Sequence, residues 1–386
     1  MGWRYRLFSA CGAVLVACFL GSNVHPARAA DCSYDFVEGP GIGIFCGDSF
    51  VAEVPVPTPD SALNPGIVDN LLDTIDGIGD DAILADLGLS PALPAGPAAA
   101  SIQFTPDFAV FASGQFAHTH HDGYTVSGAG LVGPGPSFGV DDFSAAISLD
   151  FNAGHYFDFD SQYGLNLGLF AGYASTNVHL HDLLGLTGLG RGVNESGMFG
   201  GYALFRDGSS YALVAASGFL GNSDVYNGIL DASGSYDTQG YAVTASIGHI
   251  FKLSEHAKFD LRGGILGVSF HGDPYDDSDG NDYGRSRLSF GAVKFEPGIY
   301  ADYVLANGMV MSPYLRAELQ QRFSYRNTIA FDGDTYDFDD ADFSAALSSG
   351  FNLKMSKSAT LSAEVRGKVS ADSAMIGGKI GLKIAF

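Results

Sequence analysis

Residues 376–386 alternate without a break. Ile376, Gly378, Ile380, Leu382, Ile384 and Phe386 fall on one side; Gly377, Lys379, Gly381, Lys383 and Ala385 fall on the other. Successive side chains of a strand point to opposite faces, so this segment has one apolar face and one that carries ammonium groups. The two preceding segments obey the same rule. Leu361, Ala363, Val365 and Val369 oppose Ser362, Glu364, Arg366 and Lys368, and Phe343, Ala345, Leu347, Phe351 and Leu353 oppose Ser344, Ser348, Asn352 and Lys354. Every face is therefore committed to oil or to polar groups. That is a strong constraint on the fold.

Twelve such segments follow one another, with approximate spans 107–119, 141–156, 162–177, 195–206, 211–222, 239–252, 258–270, 285–304, 309–325, 341–355, 359–369 and 374–386. In 285–304 the parity slips near Val293 and Lys294, which predicts a bulge, with Phe295, Ile299, Ala301 and Tyr303 restoring the outer face. The connections alternate in length. Short ones such as Asp207-Gly208-Ser209 and Ala306-Asn307-Gly308 alternate with long ones rich in Gly, Asp and His, and only the last connection, near Ala371-Asp372, breaks the rule. An even strand count with short turns at one end and long loops at the other is the layout of an outer-membrane barrel. A soluble β-sandwich also alternates, but with strands of about 5–6 residues and no bias in loop length. These segments are long enough to cross the hydrocarbon at a tilt.

The polar faces repeat charged residues: Asp260, Arg262, Glu296, Arg316, Glu318 and Arg322, then Glu364, Arg366, Lys368, Lys379 and Lys383. In a barrel these line the lumen, where they pair and meet water, whereas a sandwich core would bury them at severe cost. The expected fold is all-β: a transmembrane, antiparallel, 12-stranded up-and-down β-barrel over residues 101–386.

Upstream, Arg4 and Arg6 precede the apolar run Leu7–Leu20, and Ala27-Arg28-Ala29 offers a small-residue cleavage site, so residues 1–30 read as a signal peptide. Leu15-Val16-Ala17-Cys18 supports a rival reading, lipoprotein cleavage at Cys18. Residues 31–100 form a short head. Cys32 and Cys46 are an even pair in an exported chain, which predicts a disulfide within a loop-rich piece marked by Pro55, Pro57 and Pro59. Ile67, Val68, Leu71, Leu72, Ile75 and Ile78 then trace a helical face that continues through Ile83, Leu84 and Leu87, interrupted by Gly77 and Gly79. Pro91–Ala100 is a linker. No Lys or Arg occurs between Asp31 and Gly190, so helix carboxylates such as Asp73, Asp76 or Asp80 are expected to face Arg316, Arg366 or Lys379. With a formal charge of −23 the chain is no partner for nucleic acid.

Three stretches make the middle of the chain distinctive: Gly197-Met-Phe-Gly-Gly-Tyr-Ala-Leu-Phe-Arg-Asp-Gly208, Tyr211-Ala-Leu-Val-Ala-Ala-Ser-Gly218 and Asp237-Thr-Gln-Gly-Tyr-Ala-Val-Thr-Ala-Ser-Ile-Gly-His249. Together they resemble the autotransporter β-domain, the translocator of type V secretion, over about residues 105–386. The resemblance implies a barrel in the outer membrane of a Gram-negative bacterium, threaded by the helix that joins passenger to barrel. It also implies that Ile380, Leu382, Ile384 and the terminal Phe386 form an assembly signal read by the outer-membrane assembly machinery. Outer-membrane lipids and lipopolysaccharide are the expected partners. Two features depart from the family: the passenger is short, and the linker has no Asn-Asn cleavage site. The head is therefore expected to be anchored and translocated or displayed, or to stay as a plug. A stand-alone porin-like or adhesive barrel is the alternative, and a barrel lipid hydrolase a more distant one.

No enzyme activity, cofactor or metal is expected. His118, His120 and His121, with His179 and His181, lie at strand ends beside long loops and read as solvated rim residues. Asp277, Asp279 and Asn281 begin like a Ca²⁺ loop, but Asp282 and Leu288 stand where Gly and Glu belong. Gly47-Asp48-Ser49 reads as a turn, and His249 has no expected serine partner.

Overall fold

The computed structural model describes residues 32–36, 41–46, 49–55, 58–86, 108–159, 163–183, 186–356 and 358–386. The export segment over 1–30 and the linker over 91–100 lie outside these residues, as do Gly47 and Asp48.

Twelve long strands make one closed antiparallel barrel: β1 Phe108–His121, β2 Ser137–Asn152, β3 Tyr163–Leu183, β4 Leu186–Asp207, β5 Ser210–Asn227 and β6 Ala232–Lys252, then β7 Ala257–Gly272, β8 Ser286–Ala301, β9 Val310–Phe331, β10 Phe343–Lys354, β11 Ala359–Ser370 and β12 Ser373–Ala385. Sequence order is wall order. The ring closes where β12 pairs with β1, from Ser373 beside His121 to Ala385 beside Ala109. Just beyond, the Phe386 N–H donates to the Phe108 carbonyl at 2.9 Å and the Phe108 N–H donates back at 3.4 Å. Closure removes the free edges that a lipid environment forbids. Outside, Ile147, Leu169, Phe199, Ile247, Ile265, Phe295, Val365 and Ile380 stand exposed as an apolar band. In the tight turns after β4 and β8, Gly208 takes φ +58° and Gly308 φ +82°, a backbone region that glycine reaches without a Cβ clash.

Some segments depart from the sequence reading. β2 stops at Asn152 rather than continuing to 156, because the Asn152 Oδ1 accepts the His155 N–H at 3.0 Å and caps a helical turn, Ala153–Tyr156. The Gly- and His-rich stretches expected as long loops after β3 and β5 are largely strand. β3 and β4 run 21 and 22 residues, and their upper parts turn Leu180, Leu183, Leu186 and Leu189 inward. Within β8 there is no parity slip: Leu288, Phe290, Ala292, Lys294 and Glu296 all point inward. The irregularity lies opposite, on β9, where the pairing jumps between Ser289 and Gly291 and Ser324 adopts φ +54°.

The head is more regular than expected. Cys32–Phe36, Gly41–Cys46 and Ser49–Pro55 form a three-stranded antiparallel sheet in which Cys32 lies opposite Cys46. Ser49–Pro55 lies against a hairpin, Thr125–Gly128 with Leu131–Pro134, in the long connection between β1 and β2. A further short strand, Asp334–Asp339, pairs with Thr125–Gly128 and braces that end of the barrel.

A single helix, α1 (Pro59–Asp86), follows the head and packs along the inner wall of β2–β5, β7, β8 and β9. It is longer than the apolar periodicity indicates, and Gly77 and Gly79 do not break it. Its glycines serve close approach instead. A Cβ on Gly66 would stand 2.9 Å from the Thr176 and Val140 methyl groups. Both neighbours are β-branched and stiff at χ1, so neither can swing aside. Gly66→Ala gains about 1 kcal/mol in helix propensity, but the overpacking costs about 1–3 kcal/mol. A net loss is expected, read as a lower denaturant midpoint in detergent; a raised midpoint would show that the wall yields.

Candidate functional site

The site is the occupied lumen. α1 enters at the long-connection end, where the Tyr275 hydroxyl donates to Asp60 Oδ2 at 2.9 Å and the Ser61 and Tyr124 hydroxyls meet at 2.7 Å. Burial among these loop tyrosines pushes the Asp60 carboxyl above its usual range. Pro65 lies within the helix and has no N–H for the Ser61 carbonyl one turn back. The wall supplies the missing donor: Asn327 Nδ2 donates to that carbonyl at 3.0 Å.

Beyond this collar the helix has two faces. Ile67, Val68, Leu71, Leu72, Ile75 and Ile78 are buried, in one cluster with Val140, Val178, Leu180, Met198, Leu213 and Phe219 of β2–β5. Each such side chain contributes about 1.5–3 kcal/mol by leaving water. The other face carries Asp69, Asp73, Asp76, Asp80 and Asp81, each of which meets a cation from β7–β12. Asp80 sits between Arg262, at 2.7 Å, and Arg316. Asp76 pairs with Lys294, Asp73 with Arg366 at 3.8 Å, Asp69 with Lys368 at 3.4 Å and Asp81 with Lys379 at 3.0 Å. Lys379 also donates to the Gly77 carbonyl at 3.2 Å.

The wall cations are held in turn by wall carboxylates. Arg262 forks onto Glu296, with both contacts at 2.8 Å; Arg316 lies 3.3 Å from Glu364, and Arg366 lies 3.0 Å from Glu318. Asp260 accepts the Tyr211 hydroxyl, and Lys383 reaches Asp150 at 2.8 Å. Arg322 also pairs away from the helix. It is at the rim, 2.7 Å from Asp340 and 4.6 Å above the Tyr325 ring. Ile380, Leu382, Ile384 and Phe386 face outward; the side chains of Cys32 and Cys46 lie outside the described ones. The sequence reading missed Lys294, Asp69, Asp81, Asp142 and Asp150. Unbroken parity through β8 would have put Lys294 inside, and the i, i+4 step from Asp73 leads to Asp69.

Other candidate chemistry resolves quickly. Asp277 turns its carboxylate onto the Asp279 and Asn281 N–H groups, each at 3.0 Å, so it closes a turn rather than opening a cation loop. Among the described residues no set of three His, Cys, Asp or Glu side chains is placed to hold a metal. His118 pairs with Asp141 at 2.7 Å on the outer surface. His249 does have a serine partner, with Nδ1 2.8 Å from Ser210 Oγ, but the pair lies at the short-turn end and no further hydrogen bond to the ring occurs among the described residues.

Residues 153–366, more than half of the chain, match the family profile "Autotransporter beta-domain". Three solved structures share the fold. The transport unit of the autotransporter AIDA-I from Escherichia coli aligns at TM-score 0.56 and 14% identity, over 79% of this chain and 98% of that one. The β domain of the Bordetella autotransporter BrkA gives 0.56 and 15%, over 72% and 100%. The translocator domain of NalP from Neisseria meningitidis gives 0.58 and 12%, over 86% and 99%. Among curated protein sequences nothing matches.

Proposed function

The chain belongs to the autotransporter β-domain family, and from that premise we propose that it is a display device of the Gram-negative outer membrane. The barrel anchors and translocates its own N-terminal segment; α1 then stays in the lumen as plug and tether, and the head is held at the cell surface. What carries this reading is the double attachment of α1, with an apolar face buried on one wall and five carboxylates paired on the other. Apolar burial supplies the affinity, and the charge pairs fix rotation and register, the best-attested use of buried ion pairs. An open porin is disfavoured by the same filling.

In this reading residues 1–30 are removed on export, residues 31–100 are the displayed head and its linker, and residues 101–386 are the barrel. The Cys32–Cys46 register supports a disulfide that staples the head sheet. Exposed Arg191, Arg287 and Arg326 near the long connections suit lipopolysaccharide phosphates, and the outward residues of β12 suit the assembly machinery.

On intact cells, a membrane-impermeant maleimide is expected to label both cysteines after mild reduction and neither before it. Labelling only after lysis would overturn surface display. Labelling without reduction would remove the disulfide and leave display standing.

A further inference from the structure

We infer that a small monovalent cation binds in the crevice between α1 and the wall of β11, β12, β1 and β2, held by the Asp142 carboxylate and the Asn70 amide oxygen. A cavity of about 40 Å³ opens there, lined by Asn70, Gln115 and Asp142 and, from β9, β11 and β12, by Arg316, Arg366 and Lys379, whose charges are already matched by Asp80 and Glu364, by Asp73 and Glu318, and by Asp81. A water molecule needs about 10–15 Å³ of such space, so there is room for an ion with part of its hydration shell.

The orientation of Asn70 is fixed by its surroundings. Its Nδ2 donates to the Phe143 carbonyl at 3.3 Å, the Ser175 carbonyl at 3.2 Å and Thr176 Oγ1 at 3.2 Å. Three acceptors around one group identify it as the amide nitrogen. Asn70 Oδ1, on a residue only 3% exposed, is left without a hydrogen-bond partner. Thr176 spends its hydroxyl proton on Asp142 Oδ1 at 2.7 Å, which leaves Asp142 with a free oxygen.

Charge matching points the same way. Asp73 has Arg366, Asp80 has two arginines and Lys379 has Asp81, but Asp142 has no cationic partner among the described residues. None can come from its own side, because β1, β2 and β3 contain no Lys or Arg. Asp142 is partly buried beside Asp69, Asp73 and Asp141, so its charge is costly, and a bound cation, in place of a proton, removes that cost. One unmatched carboxylate and one amide oxygen make a hard, singly charged site, which suits Na⁺ or K⁺ rather than a divalent ion.

The test uses the whole chain in planar bilayers under a KCl gradient. The residual conductance is expected to favour K⁺ over Cl⁻ severalfold, and Asp142→Asn to lose that preference. Thermal melting in detergent gives a second readout. Replacing N-methylglucamine chloride by KCl at equal ionic strength is expected to raise the melting temperature of the native protein but not of D142N. An equal response of both proteins, or a preference that D142N leaves unmoved, overturns the site and identifies the occupant as water alone. The site requires a seated helix. A large, unselective conductance in both proteins would instead show that α1 has left the lumen and would overturn the plug.

Discussion

Deletion of residues 61–100 is expected to turn a nearly closed barrel into an open one. The single-channel conductance should rise severalfold, toward that of a bore as wide as the missing helix, roughly 10–12 Å. The physical ground is occupancy: α1 touches the inner wall at β2–β5 and β7–β9, and its carboxylates reach the cations of β11 and β12. Part of the vacated surface is apolar, with Val140, Val178, Leu180 and Leu213 newly facing the bore, so water will wet it unevenly. The increase should therefore fall short of a polar hole of equal width. Planar-bilayer recordings of the native and deleted proteins decide the matter, and equal conductance would mean that α1 does not plug the lumen.

The second large effect concerns Asp80. This residue lies between two guanidinium groups, Arg262 and Arg316, and all three are at most 7% exposed. Asp80→Asn keeps the shape and removes the charge, leaving two buried arginines with one carboxylate each. Breaking a buried pair from one side costs about 3–5 kcal/mol, because the charge left behind keeps its desolvation penalty. A loss of that order is expected in denaturant unfolding of the detergent-solubilised barrel. Asp141→Asn is the natural contrast. Its partner His118 is on the outer surface with both side chains 58% exposed, so less than about 1 kcal/mol is at stake. If the two substitutions cost the same, the lumen pairs are as well solvated as surface ones.

What the sequence discloses and what it hides follow from one assumption. Reading alternation as oil outside and water inside identifies the twelve wall strands, their order and most of the charged inner residues, including Arg262, Glu296, Arg316 and Arg366. The assumption fails where the lumen is filled by the chain's own helix. There, apolar residues belong inside as well, so Leu288, Phe290 and Ala292 imitate an outer face and suggest a slip at Lys294 that does not exist. The inward leucines at the tops of β3 and β4 were hidden in the same way, within stretches whose glycines and histidines look like loop. Which wall would receive the apolar side of α1 was nevertheless written in the chain: the run from Asp31 to Gly190 lacks any Lys or Arg, so β1–β3 can offer the helix no cation.

The spacing of the helix carboxylates has a mechanical corollary. Asp69, Asp73, Asp76 and Asp80 succeed one another at about one turn, so an axial slide of roughly 5.4 Å carries each one to the level its neighbour has just vacated. The apolar residues repeat at the same interval. Along its length the rod thus has a series of detents rather than a single resting place, and neither face alone says at which it stops. The collar does. Asp60 on Tyr275, Ser61 on Tyr124 and the Pro65 gap filled by Asn327 have no counterpart one turn along, so a few contacts at one end set the stroke of the whole rod.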